Sequence, residues 1–211
     1  MITLINPNST VAMTESMLRV ARQVAPGVLI QGLTNHGGPA AIQGADDGAA
    51  AVPPMLEVVE QAAQTGTQAI IIGCFDDTGL DEARALVGCP VLGIGQAAYL
   101  TALAVGARFS VVTTLSVSVP VLQENIQRYG LGAHLGRVRA SDVPVLALEH
   151  DPEGATQKVL DEVRRAEAED GVQSVVLGCG GMVDIAARAG QGSSVRMIDG
   201  VRAAVAMAAA L

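Results

Sequence analysis

Apolar positions along the chain come in two rhythms. Short, mostly apolar runs, of which Ile2-Thr3-Leu4-Ile5-Asn6 and Ala69-Ile70-Ile71-Ile72-Gly73 are the clearest, have the length and composition of strands buried on both faces. Segments with apolar residues at helical spacing lie between them: VAMTESMLRVARQV over 11–24, and MLEVVEQAAQ over 55–64. A Gly-rich loop separates the two helical stretches. Strand and helix patterns that alternate in this way predict βαβ units and a parallel sheet.

The same pattern is written twice. Gln68-Ala-Ile-Ile-Ile-Gly-Cys74 realigns with Gln173-Ser-Val-Val-Leu-Gly-Cys179 at an offset of 105, which also carries Gly95 onto Gly200. That offset lays ITLIN over ARFSV, and Asn8 and Ser9 over Thr113 and Thr114. The fold expected is α/β, with two similar parallel-sheet domains related by a pseudo-twofold and the active site in the cleft between them. The first half is 1–94 plus 200–211, and the second is 95–199.

In each half an apolar strand runs into Gly-Cys and then a loop, so Cys74 and Cys179 fall at carboxyl ends of strands, the edge where open parallel sheets bind ligands. A single cysteine there is more often a small buried hydrophobe. Two at equivalent points of a repeat favour chemistry, on opposite walls of one cleft. Cys89, in Gly88-Cys89-Pro90, has Ser194 at the equivalent position and reads as structural.

Composition narrows the field. The 211 residues are 50% apolar and 16% charged, enough for a sizeable core without disulfides. Three cysteines without a CxxC pair fit a reducing compartment, and the start of the chain has no signal-peptide pattern, so a cytoplasmic location is expected. The longest apolar run near an end, Ala203 to Leu211, is too short to span a bilayer. A net charge of −8, no basic run, two Phe, two Tyr and no Trp argue against nucleic acid. Lys158, the single lysine, lies on a charged helical stretch, which leaves no Schiff-base lysine for pyridoxal phosphate. His36, His134 and His150 form no metal-binding spacing. No metal and no pyridoxal phosphate are expected, and a small-molecule substrate is the expected partner. Homo-oligomers are common among compact enzymes, but no interface stripe stands out.

Asn6-Pro7-Asn8-Ser9-Thr10 after the first strand, Gly73-Cys74-Phe75-Asp76-Asp77 with Gly79-Leu80, Val112-Thr113-Thr114-Leu115, and Leu177-Gly178-Cys179-Gly180-Gly181-Met182 together resemble the hydantoin and allantoin racemase branch of the aspartate/glutamate racemase superfamily. The resemblance runs from Met1 to about Ala203. It implies two α/β domains, an active site between them, paired cysteines as acid and base, and no cofactor. Departures fall in the loop Gly38-Pro39-Ala40-Ala41-Ile42-Gln43, where the family often has Glu, and at Thr78 and Val117, where it usually has Pro and a basic residue.

Racemisation removes a proton from one face of a carbon and returns one to the other, so it needs two acid/base groups on opposite sides. Thiols suit this because their ordinary pKa near 8.5 lets one be thiolate and the other thiol, if the environment lowers one of them. Amides of Phe75 and Asp76 on one side, and of Gly180 and Gly181 on the other, are candidates to do so and to hold an enolate oxygen. The carboxylates of Asp76 and Asp77 oppose it unless they point away. Asn8, Ser9, Phe75, Asp76, Thr114, Ser118 and Gly180 are the substrate-binding candidates, and for the polar ones helix capping or turn formation is an equal alternative. The motif segments contain no Arg or Lys to grip a carboxylate, which favours a neutral 5-substituted hydantoin or allantoin inverted at C5. The competing activities are an aspartate/glutamate-type amino-acid racemase, a maleate-type isomerase and a malonate decarboxylase, the last needing only one cysteine. A silent small-molecule binding protein is the alternative of another class.

Overall fold

The computed structural model describes residues 1–188 and 193–211. Strands and helices alternate as β1 (Ile2–Asn6), α1 (Val11–Val24), β2 (Ile30–Thr34), α2 (Ala45–Gln64), β3 (Ala69–Ile72), α3 (Leu80–Leu86), β4 (Val91–Gly93) and α4 (Ile94–Val105). The pattern then restarts with β5 (Phe109–Thr113), α5 (Val119–Arg128), β6 (Leu135–Ala140), α6 (Ala147–His150), α7 (Pro152–Glu169), β7 (Ser174–Gly178), α8 (Ile185–Arg188), β8 (Arg196–Asp199) and α9 (Gly200–Ala208). Two four-stranded sheets result, ordered β2-β1-β3-β4 and β6-β5-β7-β8, and every pairing is parallel. The central strands β1, β3, β5 and β7 are buried along their whole length, which is why they read as continuous apolar runs.

The register corrects one detail of the repeat. Ile2 pairs with Ala69, and Phe109 pairs with Ser174. Since Ser174 is the counterpart of Ala69, Phe109 is the counterpart of Ile2, two residues beyond the position given by the 105 offset. Asn6 and Pro7, rather than Asn8 and Ser9, therefore correspond to Thr113 and Thr114. A slip of two preserves which face each side chain points to, so the pattern alone does not reveal it.

A second difference is the length of α2. The helix predicted over 55–64 begins ten residues earlier, at Ala45, and runs through Pro53 and Pro54. Each proline removes a helical N–H donor. The buried stripe Ala51, Met55, Val59 and Ala62 nonetheless keeps helical spacing across the pair, so burial against the sheet outweighs the local penalty.

The largest core lies between the sheets, where α4 and α9 pack on each other. Helix α4 also touches β5, β7 and β8, and α9 touches α1, β3 and β4. Both helices carry small residues into this core: Ala97, Ala98 and Ala102 on α4, and Ala203, Ala204 and Ala208 on α9. The approach is close enough that a Cβ on Gly200 would sit 2.6 Å from the Ile94 carbonyl oxygen. Tyr99 fills the centre, stacked on Phe109 and edge-on to Phe75. No helix among the described residues is long and apolar enough to cross a membrane.

Candidate active site

Strand β3 ends at Ile72 and delivers Gly73 and Cys74, and β7 ends at Gly178 and delivers Cys179. Both thiols are free, half-buried, and line a single cleft of about 420 Å³, counted to its open mouth. Asn6, Thr113 and Thr114, at the ends of the other two central strands, line it as well. All four central strands thus point their carboxyl ends at one space. Met13, Met17, Ile42 and Val145 supply apolar wall, and the described lining contains no Arg or Lys.

The turn after Cys74 separates the roles of the two adjacent aspartates. Asp77 adopts a positive φ of 50° and turns away from the thiol. Its carboxylate accepts from the Gly95 amide at 2.9 Å, the Gln96 amide at 2.8 Å and the Tyr129 hydroxyl at 2.8 Å, so it caps the start of α4. Asp76 stays on the cleft wall. Its backbone carbonyl accepts from Asn125 Nδ2 at 2.7 Å, while its Oδ2 is buried without a hydrogen-bond partner among the described residues. Burial, and then the neighbouring Asp77 charge, push the Asp76 carboxyl up to about 7. Burial likewise lifts Asp77, but only to about 6, because Tyr129 and the two amides favour its charged form.

Burial also governs the thiols. It drives Cys74 well above its ordinary range, and the Asp76 charge adds to this, while the Thr78 hydroxyl and the Asp76 amide act in the opposite direction. Cys179 is pushed up to about 12 by burial, offset in part by the Gly181 amide and raised further by Asp76 and Glu149. Burial thus favours the neutral thiol at both positions, and Asp76 is the charge that bears on both. Gly181 stands at the repeat position of Asp76, so the two halves offer equivalent amides to their cysteines.

Of the candidate binding residues, Asn8, Phe75, Asp76, Thr114, Ser118 and Gly180 line the cleft. Ser9 does not: its amide donates to the Pro39 carbonyl at 2.9 Å, tying the loop after β1 to the following loop. Asn8 is committed to its own turn, with Oδ1 accepting from the Thr10 amide at 2.9 Å and from Asn6 Nδ2 at 2.9 Å. Thr113 donates to the Gly178 carbonyl at 3.0 Å and so pins β5 to β7. The hydroxyls of Thr114 and Ser118, residues that are both buried and line the cleft, have no hydrogen-bond partner among the described residues. Asn6 also lines the cleft, although the sequence reading does not place it among the binding candidates. Its signal was a polar residue closing a fully buried strand, and it organises the loop by donating to Asn8, to the Thr10 carbonyl and to Thr14. Ile42 and Val145 arrive from loops whose approach no local pattern encodes. Gln43 Oε1 accepts from the Val145 amide at 3.0 Å and joins those loops across the cleft. Cys89 is half-buried against the outer core of the first sheet, away from the cleft. No group of three or more metal-ligating side chains is gathered among the described residues.

Two repeated α/β sheets meeting at a cleft with one cysteine from each define the class. The sequence pattern of the Asp/Glu/Hydantoin racemase family matches residues 2–208. The chain belongs to that family and is an isomerase, a racemase. It is 46% identical over 209 residues to a hydantoin racemase of Rhizobium meliloti, covering 99% of this chain and 87% of the relative. Among solved structures, an allantoin racemase from Klebsiella pneumoniae superposes with a TM-score of 0.96 at 40% identity, covering 100% of this chain and 86% of that one. An allantoin racemase from Pseudomonas fluorescens superposes with a TM-score of 0.94 at 34% identity, over 100% and 89% of the respective chains.

Proposed function

We propose that this racemase inverts the C5 stereocentre of a 5-substituted hydantoin or of allantoin, with Cys74 and Cys179 as the two acid/base groups and no cofactor. The observation that carries the reading is one small cleft lined by a cysteine from each half and, among its described residues, by no cation. A carboxylate substrate such as aspartate or glutamate would enter that cleft without an Arg or Lys partner and beside Asp76, an unfavourable arrangement. A neutral cyclic amide fits better. Its ring N–H groups can donate to the buried Asp76 Oδ2, and its carbonyls can accept from the Thr114 and Ser118 hydroxyls.

In this mechanism one cysteine, as thiolate, takes the C5 proton while the electron pair delocalises into the adjacent carbonyl as an enolate. The opposing thiol then returns a proton to the other face. Protonating Asp76 removes the charge that most disfavours either thiolate after burial itself, and a ligand N–H donated to its carboxylate disperses that charge. The amides of Asp76 and Gly181 stabilise whichever thiolate forms. The similarity to proteins named hydantoin racemase and allantoin racemase supports this choice of substrate.

The test is a panel of single enantiomers of 5-substituted hydantoins, allantoin, aspartate and glutamate, with maleate alongside, followed in D2O by polarimetry and NMR. Loss of optical rotation with deuterium entering C5 of a hydantoin or allantoin is expected. Turnover confined to aspartate, glutamate or maleate would overturn the substrate assignment. A protein that binds hydantoin but exchanges no hydrogen would overturn the chemistry.

A further inference from the structure

The two thiols have equivalent backbone donors, but their side-chain environments differ. The Thr78 hydroxyl donates to Cys74 Sγ at 3.2 Å. The repeat places Val183 opposite Thr78, so Cys179 has no corresponding hydroxyl. Thr78 is buried, follows the Asp77 cap in the same turn, and has Cys74 as its only side-chain hydrogen-bond partner among the described residues. Its hydroxyl is thus held against the sulfur by the turn that docks on α4.

We propose that Thr78 is a positioning residue that makes the two thiols unequal, orienting Cys74 Sγ and favouring its thiolate over what the same site without the hydroxyl would allow, a support that Cys179 lacks. The inference rests on the paired-thiol reading and adds an asymmetry to it. A hydroxyl donor strengthens as the sulfur becomes an anion, so the contact favours the thiolate over the thiol. A hydrogen bond to a charged group contributes enough to shift an ionisation by about one to two pH units, roughly ten- to a hundredfold in thiolate population. The other titratable groups bearing on Cys74 are Asp76 and Cys179, and both oppose its ionisation. Thr78 is the one side chain that favours it. In the forward half-reaction the Cys74 thiolate accepts the C5 proton and becomes a thiol, and the Thr78 hydroxyl keeps its own proton throughout.

Thr78→Val keeps the shape and removes the donor, and Thr78→Ser restores the donor. The direct readout needs no substrate. Iodoacetamide alkylation of Cys74 is followed by mass spectrometry of its peptide across pH, with Cys179 in the same molecule as internal reference. Thr78→Val is expected to slow Cys74 alkylation about ten- to a hundredfold at a pH below its ionisation, with a much smaller change at Cys179, and Thr78→Ser is expected to recover most of the rate. Should Thr78→Val fail to fold by circular dichroism, Thr78→Ala supplies the same comparison. Equal alkylation profiles in wild type and the donor-less variant, or equal slowing at both cysteines, would overturn the proposal. A second measurement joins this to turnover. In a Cys179→Ser background, Thr78→Val should reduce deuterium exchange far more than it does in a Cys74→Ser background. If Cys179→Ser alone still inverts substrate at the wild-type rate, the paired-thiol reading fails, while the alkylation result still decides what Thr78 does to Cys74.

Discussion

Replacing Asp76 by Asn should stabilise the fold and change its dependence on pH. The carboxyl ionises at 3.8 when unperturbed and at about 7 in the folded chain, with burial the main cause and Asp77 the second. The native state therefore holds this proton more tightly than the unfolded chain does. Stability from the protonated form is complete below about pH 4 and is lost as pH rises through about 7. Three units at 1.36 kcal/mol each set a ceiling of about 4 kcal/mol on the cost of keeping Asp76 ionised. Asn is isosteric, carries no charge and avoids that cost. Urea unfolding at a series of pH values from 4 to 8 should give nearly equal stabilities for wild type and Asp76→Asn at the acid end. The variant should then gain about 1–4 kcal/mol by pH 8. Asp77 and Asp199, both lifted by burial to about 6, leave a residual slope in each protein. The same substitution removes a charge that opposes thiolate formation at Cys74 and Cys179, so both cysteines should alkylate at lower pH. A stability difference that stays flat across pH would refute the assignment of Asp76 as a buried, near-neutral carboxyl.

Other outcomes follow from packing and from charges outside the cleft. Gly95→Ala would place a Cβ 2.4 Å from the Phe75 carbonyl oxygen and 2.8 Å from Asp77 Oδ2; a loss of about 1–3 kcal/mol in urea unfolding is expected, with reduced inversion because the displaced segment adjoins Cys74. Arg139, itself buried, is held by Asp170 at 2.6 Å, Glu169 at 2.7 Å and Glu162 at 2.9 Å. Arg139→Met should cost up to about 3–5 kcal/mol in denaturant unfolding, because it leaves buried Asp170 with the Ser110 hydroxyl and only the longer contact to Arg137. Burial alone would raise Asp170, but Arg139 and Ser110 hold it below its ordinary range, so the penalty should shrink as acid protonates it. Tyr129→Phe removes one of three donors to Asp77 and should move that carboxyl's ionisation upward, read by NMR titration of the carboxyl carbon.

Much of this molecule was legible because buried parallel strands leave unbroken apolar runs and because the chain repeats itself. The strand-end positions of Cys74 and Cys179 followed from those two features together. The two-residue shift in β1 was not legible, since it conserves facing and leaves the apolar pattern intact. The early start of α2 was hidden by Pro53 and Pro54, whose local preference yields to the buried stripe on either side. Within the turn after Cys74, sequence could not say which carboxylate points at the thiol. A positive φ at Asp77 and the open amides of α4 decide that, and both depend on tertiary docking. Ser9 and Asn8 are polar residues beside a ligand edge, the position where caps and binding groups look alike. Thr78 stands where the family usually has Pro, but its contact with Cys74 is visible only in three dimensions.

The central claim is that each cysteine serves one face of the substrate carbon. The most direct test replaces each in turn by Ser, which keeps the size but is far too weak an acid to form the anion near neutral pH without an adjacent base. Deuterium entry from D2O into each pure enantiomer is measured alongside optical rotation, with circular dichroism confirming folding. Cys74→Ser is expected to lose net inversion yet still exchange the enantiomer presented to Cys179, and Cys179→Ser to lose inversion and favour the other enantiomer. Wild-type inversion in either folded variant, or equal exchange of both enantiomers by each, would contradict it.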